Sequence, residues 1–378
     1  MSETSMKTEK LYGIEALRGI AALAVAVGHN RGLFGQVEPG SFMDRITSNA
    51  IFGVELFFII SGFIISYSTK NITKSSLNNT LSFLIKRFFR IYPVYAIILG
   101  IYVFLFYHNI YTGVSWGGVF SINNIIKSFL LIPLDGSTLP PYYGWGTLIV
   151  SWSLGYEIYF YFVFAISMSL SIKYRALITS CFLIAVSTIL SFYFNHSVVI
   201  DAQSFNIAKT GLFSHIGFIG NPIVYDFILG MIISEAMPLL RHKRMNNVII
   251  NSLCVFILGV TIVFWLNGVS EGHGLTRSAY IAFLIVLCVI ILETNKVISF
   301  NKSLVALGGI SYSLYLIHVP VIQFIEFYGS SIGVNTEHRS LAIYISSLTI
   351  AISLSYLIYN LIEKPFINIG HSIAKRIS

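Results

Sequence analysis

Ten stretches of this 378-residue chain are long and apolar enough to cross a bilayer as helices, and no other feature constrains its fold as much. A helical residue rises about 1.5 Å and the hydrocarbon layer is about 30 Å thick, so one crossing needs about 20 apolar residues. The stretches run 12–30, 50–68, 89–107, 147–171, 175–194, 222–238, 247–267, 276–293, 305–328 and 340–362. With 55% hydrophobic and 11% charged residues, the chain has too little polar material for a soluble surface. Its aromatic content of 15% suits spans with aromatic belts at the headgroups. Cys181, Cys254 and Cys288 all fall inside apolar runs and read as small buried hydrophobes, not as a disulfide framework. The first run outlasts a signal-peptide core and lacks a small-residue cleavage site, so it reads as a retained anchor.

Charge sets the orientation. An eleventh stretch, 119–133, is short and holds Asn123, Asn124 and Lys127. If it does not cross, one side receives Lys7 and Lys10, Lys70 to Arg90, Lys173 with Arg175, Arg241 to Arg244, Lys296 with Lys302, and Lys364, Lys375 and Arg376. Positive charge collects on the cytoplasmic side, so the expected architecture is an all-α integral membrane protein. It is a polytopic bundle of about ten transmembrane helices with both termini cytoplasmic and 108–146 external. The net charge of +8 is thereby assigned to topology and not to nucleic acid, because the basic residues sit between apolar runs and form no stripe. Neither repeats nor linkers divide the chain, which reads as a single domain over 1–378, with the long external segments 31–49, 108–146 and 195–221 as the natural acceptor surface.

Buried charge costs at least a few kcal/mol in a span and asks for a reason. In GIEALRGIAALAVAVGHN the eleven residues from Arg18 to His29 make about three turns. Both side chains then project from nearly one face, about 16 Å apart along the axis. Face and depth favour a functional pair over an interfacial histidine and a snorkelling or Glu15-paired arginine. Glu55, in GVELFFIISGFIIS, lies about as deep as His29, and the Ser61–Gly62 step after it suits close helix packing. In KRFFRIYPVY, Arg87 and Arg90 share one side of the third helix at its cytoplasmic mouth, which fits a phosphate and equally fits ordinary topology determination. Glu157, in SWSLGYEIYFYFVF, lies close to mid-bilayer and needs a buried His or Arg beside it. His318, in GISYSLYLIHVPVI, reads equally as a buried hydrogen-bonded histidine and as a site residue, whereas Asp226, Glu235, Glu293 and Glu326 lie toward helix ends as interface residues.

Metal-site spacings, a GxSxG elbow, a Walker loop and a Rossmann glycine pattern do not occur in a usable context, so no metal is expected. The ordered set GIEALRGIAAL, GVELFFIISGF, the Arg-x-x-Arg of RFFR, SWSLGYEIYFY, GISYSLYLIH and the closing IEKPF, with Glu363 and Pro365, resembles the membrane-bound acyltransferase-3 family of bacterial cell-surface acyltransferases. That family's first helix carries an Arg-x10-His signature like Arg18 to His29. The resemblance implies an enzyme of the bacterial cytoplasmic (inner) membrane with about ten spans, taking an acyl group, commonly acetyl from acetyl-CoA, to a cell-surface glycan or lipid-linked oligosaccharide such as O-antigen, capsule or exopolysaccharide. Glycan assembly proteins are the implied protein partners. Carried over, His29 is the catalytic histidine, Arg18 its signature partner, and Arg87 with Arg90 the donor-binding arginines. Glu157 matches the acidic position of the family's Trp-Ser-Leu-x-x-Glu stretch, with Gly155 and Tyr156 leaving a single carboxylate there. On this reading Glu157 or Glu55 orients the imidazole of His29, and transfer runs by general-base catalysis or through an acyl-histidine. The alternative from another class is a proton-coupled secondary transporter of a glycan or lipid-linked precursor, in which the same buried residues relay protons.

Overall fold

The computed structural model describes residues 11–111, 121–134, 139–207, 213–242, 246–269, 271–334 and 339–377. Lys7, Lys10, Lys243 and Arg244, counted above among the cytoplasmic charges, lie outside the described residues, as do parts of the external segments 108–146 and 195–221.

All regular structure among the described residues is helical. Each of the ten apolar stretches falls on a helix: Tyr12–His29, Gly53–Ser68, Leu77–Tyr111, Trp152–Leu170, Arg175–Asn195, Tyr225–Leu240, Val248–Leu266, Ala279–Thr294, Ser311–Tyr328 and Leu341–Ile358. Six helical segments are long and apolar enough to cross a membrane, and eight are if two bent pairs each count as one span. Those pairs are Phe42–Ser48 with Gly53–Ser68, bent by 44°, and Lys302–Gly309 with Ser311–Tyr328, bent by 69°. Two of the expected spans fall outside that count: Tyr12–His29 carries Glu15 and Arg18, and Ala279–Thr294 is short at 16 residues. Among the described residues of the eleventh stretch the helix is Ile122–Phe129, whose eight residues reach about 12 Å, too little to cross.

The third helix begins well before residue 89. The Ser76 hydroxyl accepts from the Asn79 amide at 3.1 Å, capping a helix of 35 residues, about 52 Å long. Arg87 and Arg90 therefore stand in its body, with about ten helical residues before them.

Small residues let the central helices touch backbone to backbone, which is how packing proceeds where lipid supplies no hydrophobic drive. A Cβ on Gly230 would fall 1.9 Å from the Ile59 carbonyl oxygen, and one on Gly62 would fall 2.1 Å from that of Phe227. The Ser61–Gly62 step thus serves the packing read from the sequence. Gly230→Ala has no room without separating the two helices and is expected to cost about 1–3 kcal/mol. Thermal unfolding in detergent checks this, and a variant melting with the wild type contradicts the contact. At the periphery, 11% of the apolar window of Val248–Leu266 is buried, with Val255, Phe256 and Ile262 facing outward. Such a surface needs lipid.

Candidate functional site

Four helices bring the charged residues singled out in the sequence to one cavity. Arg18 from Tyr12–His29, Arg87 and Arg90 from Leu77–Tyr111, and Glu157 from Trp152–Leu170 line one cavity of about 750 Å³, joined by Ser61 from Gly53–Ser68. Lys86, His371 and Lys375 add positive or titratable groups to the same wall, the last two from the C-terminal helix Lys364–Ile377. Arg18 donates to Glu15 Oε2 at 3.2 Å and to Ser311 Oγ at 3.1 Å. Arg87 donates to Ser68 Oγ at 3.3 Å, and its guanidinium lies 5.4 Å and 5.7 Å from the ring centres of Phe83 and Tyr161. Arg90 is within electrostatic reach of Glu363, Glu15 and Glu157. A chamber with three guanidiniums beside apolar side chains is chemically suited to an anionic head on an apolar arm.

Glu157 belongs to this chamber. Its Oε1 accepts from Ser61 Oγ at 2.9 Å and from the Tyr161 hydroxyl. The expectation that it orients His29 is not met in this arrangement: its hydrogen-bond partners are Ser61 and Tyr161, and Arg18, Arg87 and Arg90 lie within electrostatic reach of it.

His29 stands beyond the chamber, at the end of its helix, with its ring exposed. Its Nδ1 lies 2.9 Å from Nε2 of His318, which is fully buried and whose Nδ1 lies 3.0 Å from the Leu314 carbonyl oxygen. Arg18 and His29 do leave one helix on nearly one face, but they do not share one open groove. Phe57 lines the chamber and also packs against the cluster of Ala22 and Leu314, and its ring meets that of Tyr315 edge to face at 5.5 Å. Tyr315 lines the chamber on one side and stands 6.1 Å from the His318 ring on the other. Its hydroxyl is held by Ser153 Oγ at 2.7 Å and the Val150 carbonyl at 3.1 Å. Phe57 and Tyr315 thus belong to the chamber wall, and Tyr315 also neighbours the histidine pair.

Glu55 has a different partner from the one expected. It is fully buried, and its Oε1 lies 2.5 Å from Nδ1 of His273, whose Nε2 lies 3.0 Å from the Tyr142 hydroxyl. Sequence reading missed His273, although a local signal existed: it sits between Gly272 and Gly274, which take φ of +107° and +94° in a tight loop. That loop is tied down by Arg277, which grips Asp201 with two bonds of 2.9 Å and 3.1 Å. The Arg277 guanidinium holds the Asp201 carboxyl down at about 2, below its ordinary 3.8. A lowered carboxyl stabilises the fold fully above its unfolded value and loses that contribution as the folded value is crossed. The wild-type advantage in unfolding temperature over Asp201→Asn is accordingly expected to be constant above about pH 4 and to vanish toward about pH 2. An advantage unchanged across that window would contradict the ion pair.

Asp226, read as an interface residue, is instead fully buried, and neither of its oxygens has a hydrogen-bond partner among the described residues. Glu235 and Glu293 do sit at helix ends: Glu235 accepts from Ser66 Oγ at 2.6 Å, and Glu293 accepts from the Tyr12 and Gly13 amides at 2.7 Å and 2.9 Å, capping the first helix. Glu363, the second residue of the IEKPF segment, is buried and accepts from Ser313 Oγ at 2.6 Å. It faces Arg90 and Arg18, a role that the sequence offered only as a motif position. Among the described residues, no group of three or more His, Cys, Asp or Glu side chains is arranged to hold a metal.

The exopolysaccharide production protein ExoZ of Rhizobium meliloti is 25% identical over 323 residues, covering 85% of this chain and 90% of that protein. A Staphylococcus aureus protein named "Putative O-acetyltransferase SACOL0978" is 24% identical over 95% of this chain, which spans 58% of that longer relative. Acyltransferase MdmB of Streptomyces mycarofaciens is 29% identical over 163 residues, 41% of this chain and 38% of that one. The family described as "Acyltransferase domain" matches residues 11–360, nearly the whole chain, and the protein belongs to this acyltransferase-3 family.

Proposed function

We propose that this acyltransferase moves an acyl group, acetyl in the first instance, from cytosolic acyl-CoA to a hydroxyl of a cell-surface glycan. The chain acts as a single ten-span domain of the bacterial cytoplasmic membrane with both termini inside. The observation that carries the reading is the arginine-lined chamber of about 750 Å³, whose wall shares Tyr315 with the histidine pair. Donor phosphates bind Arg87 and Arg90, where planar guanidiniums give charge-assisted, partly bidentate contacts. The pantetheine arm runs along the apolar wall past Arg18, and the thioester passes Phe57 and Tyr315 toward His29. There the acceptor hydroxyl gives its proton to the His29 imidazole while its oxygen bonds to the thioester carbon. The carbon–sulfur bond then breaks, and the thiolate of CoA takes that proton.

Mass spectrometry of surface glycans from cells with and without the gene is the direct test, together with transfer of label from acetyl-CoA by the purified protein. A gain of one acetyl unit per acceptor is the expected result. Identical glycans and no transfer from any acyl-CoA would remove the reading.

A further inference from the structure

We infer that His318 is a positioning residue that fixes the tautomer of His29, leaving the lone pair of His29 on Nε2. The inference rests on His29 being the base and assigns which of its nitrogens is one.

The argument runs inward from the backbone. A carbonyl oxygen only accepts, so the 3.0 Å contact between His318 Nδ1 and Leu314 oxygen requires a proton on that Nδ1. His318 is fully buried on Ser311–Tyr328, and a charged imidazole there would be held by a neutral carbonyl alone. The ring is therefore neutral, and its Nε2 carries a lone pair. The 2.9 Å contact with His29 then has one direction: His29 Nδ1–H donates and His318 Nε2 accepts. The facing nitrogens are 2.9 Å apart while the ring centres are 5.1 Å apart with planes 11° from parallel, so the two imidazoles meet edge to edge through this bond, not face to face. A neutral His29 with its proton on Nδ1 keeps Nε2 unprotonated, on the side of the ring away from His318.

This chain does the work that a carboxylate does in a hydrolase triad, where the third member holds the imidazole in its tautomer and orientation. When His29 takes a proton, its Nδ1–H becomes a charged donor, and the bond to His318 strengthens in the transition state. Nothing in the local sequence joins the two residues, which stand 289 positions apart.

The test compares His318→Leu, which deletes the acceptor, with His318→Gln, whose amide can donate to the Leu314 carbonyl and accept from His29 Nδ1. With the purified full-length protein, His318→Leu is expected to lower kcat by at least roughly 10²-fold, with KM for acetyl-CoA unchanged. His318→Gln is expected to recover much of that loss. Equal loss in both variants, or wild-type kcat in His318→Leu, overturns the proposal. A second readout needs no turnover: side-chain nitrogen NMR of histidine-labelled protein, with His29 assigned by loss of its signals in His29→Gln. Wild type should show His29 protonated on Nδ1 and bare on Nε2, and His318→Leu should show a mixture of tautomers. Protonation of Nε2 in the wild type overturns the assignment. A wild type that transfers nothing ends the base reading, and the nitrogen spectra still decide the role of His318.

Discussion

His29→Ala lowers the acyl-transfer rate by roughly 10²–10⁴-fold, the usual contribution of a positioned general base, while acetyl-CoA affinity stays at the wild-type value. The two halves of this expectation come from different observations. His29 is an exposed residue and the proposed base, so its loss is expected to fall on chemistry. The arginines proposed to hold the donor line a chamber whose lining does not include His29, so its loss leaves binding alone. A side effect is foreseeable: His318 stays buried with an unused acceptor, at a cost to stability of about 1–3 kcal/mol. Unfolding temperature therefore accompanies the kinetics. Steady-state rates together with equilibrium titration of acetyl-CoA separate the terms. Parallel losses of rate and affinity would put His29 in donor binding and leave the reaction without its base.

The sequence was most legible where one helix carries the information. Apolar runs of about 20 residues name helices whatever surrounds them, and each run lies on one. Spacing on a helix placed Arg87 with Arg90, and depth put Arg18 and Glu157 inside the protein, where all four share a chamber. Partners were not legible, because they come from elsewhere in the chain. Arg18 meets Ser311 across 293 positions, and Glu55 meets His273 across 218. Depth alone paired Glu157 or Glu55 with His29, and depth does not say which way around the bundle a side chain turns. The same limit explains why the chamber that Arg18 lines does not include His29: helical phase predicts a common face but not which side chains of neighbouring helices stand beside each residue. Asp226 shows the converse error, since nearness to a helix end along the chain did not mean nearness to water.

Arg90→Ala should do the opposite of His29→Ala, weakening acetyl-CoA binding about 10- to 100-fold, equivalent to about 1.5–3 kcal/mol for a charge-assisted bond to phosphate. Arg90 is also the cation facing Glu363, a buried carboxylate whose Oε1 has no hydrogen-bond partner among the described residues. Its loss leaves Arg18 as the other guanidinium that Glu363 faces, so the variant should also melt earlier. The two effects have separate origins and respond differently to a second change. Glu363→Gln in the Arg90→Ala background removes the uncompensated charge and should restore the unfolding temperature, while the donor still lacks its phosphate contact and affinity stays low. If Glu363→Gln restored affinity as well, Arg90 would act by neutralising a neighbour, and the phosphate fork would have to be built from Arg87 and the lysines of the chamber wall, Lys86 and Lys375.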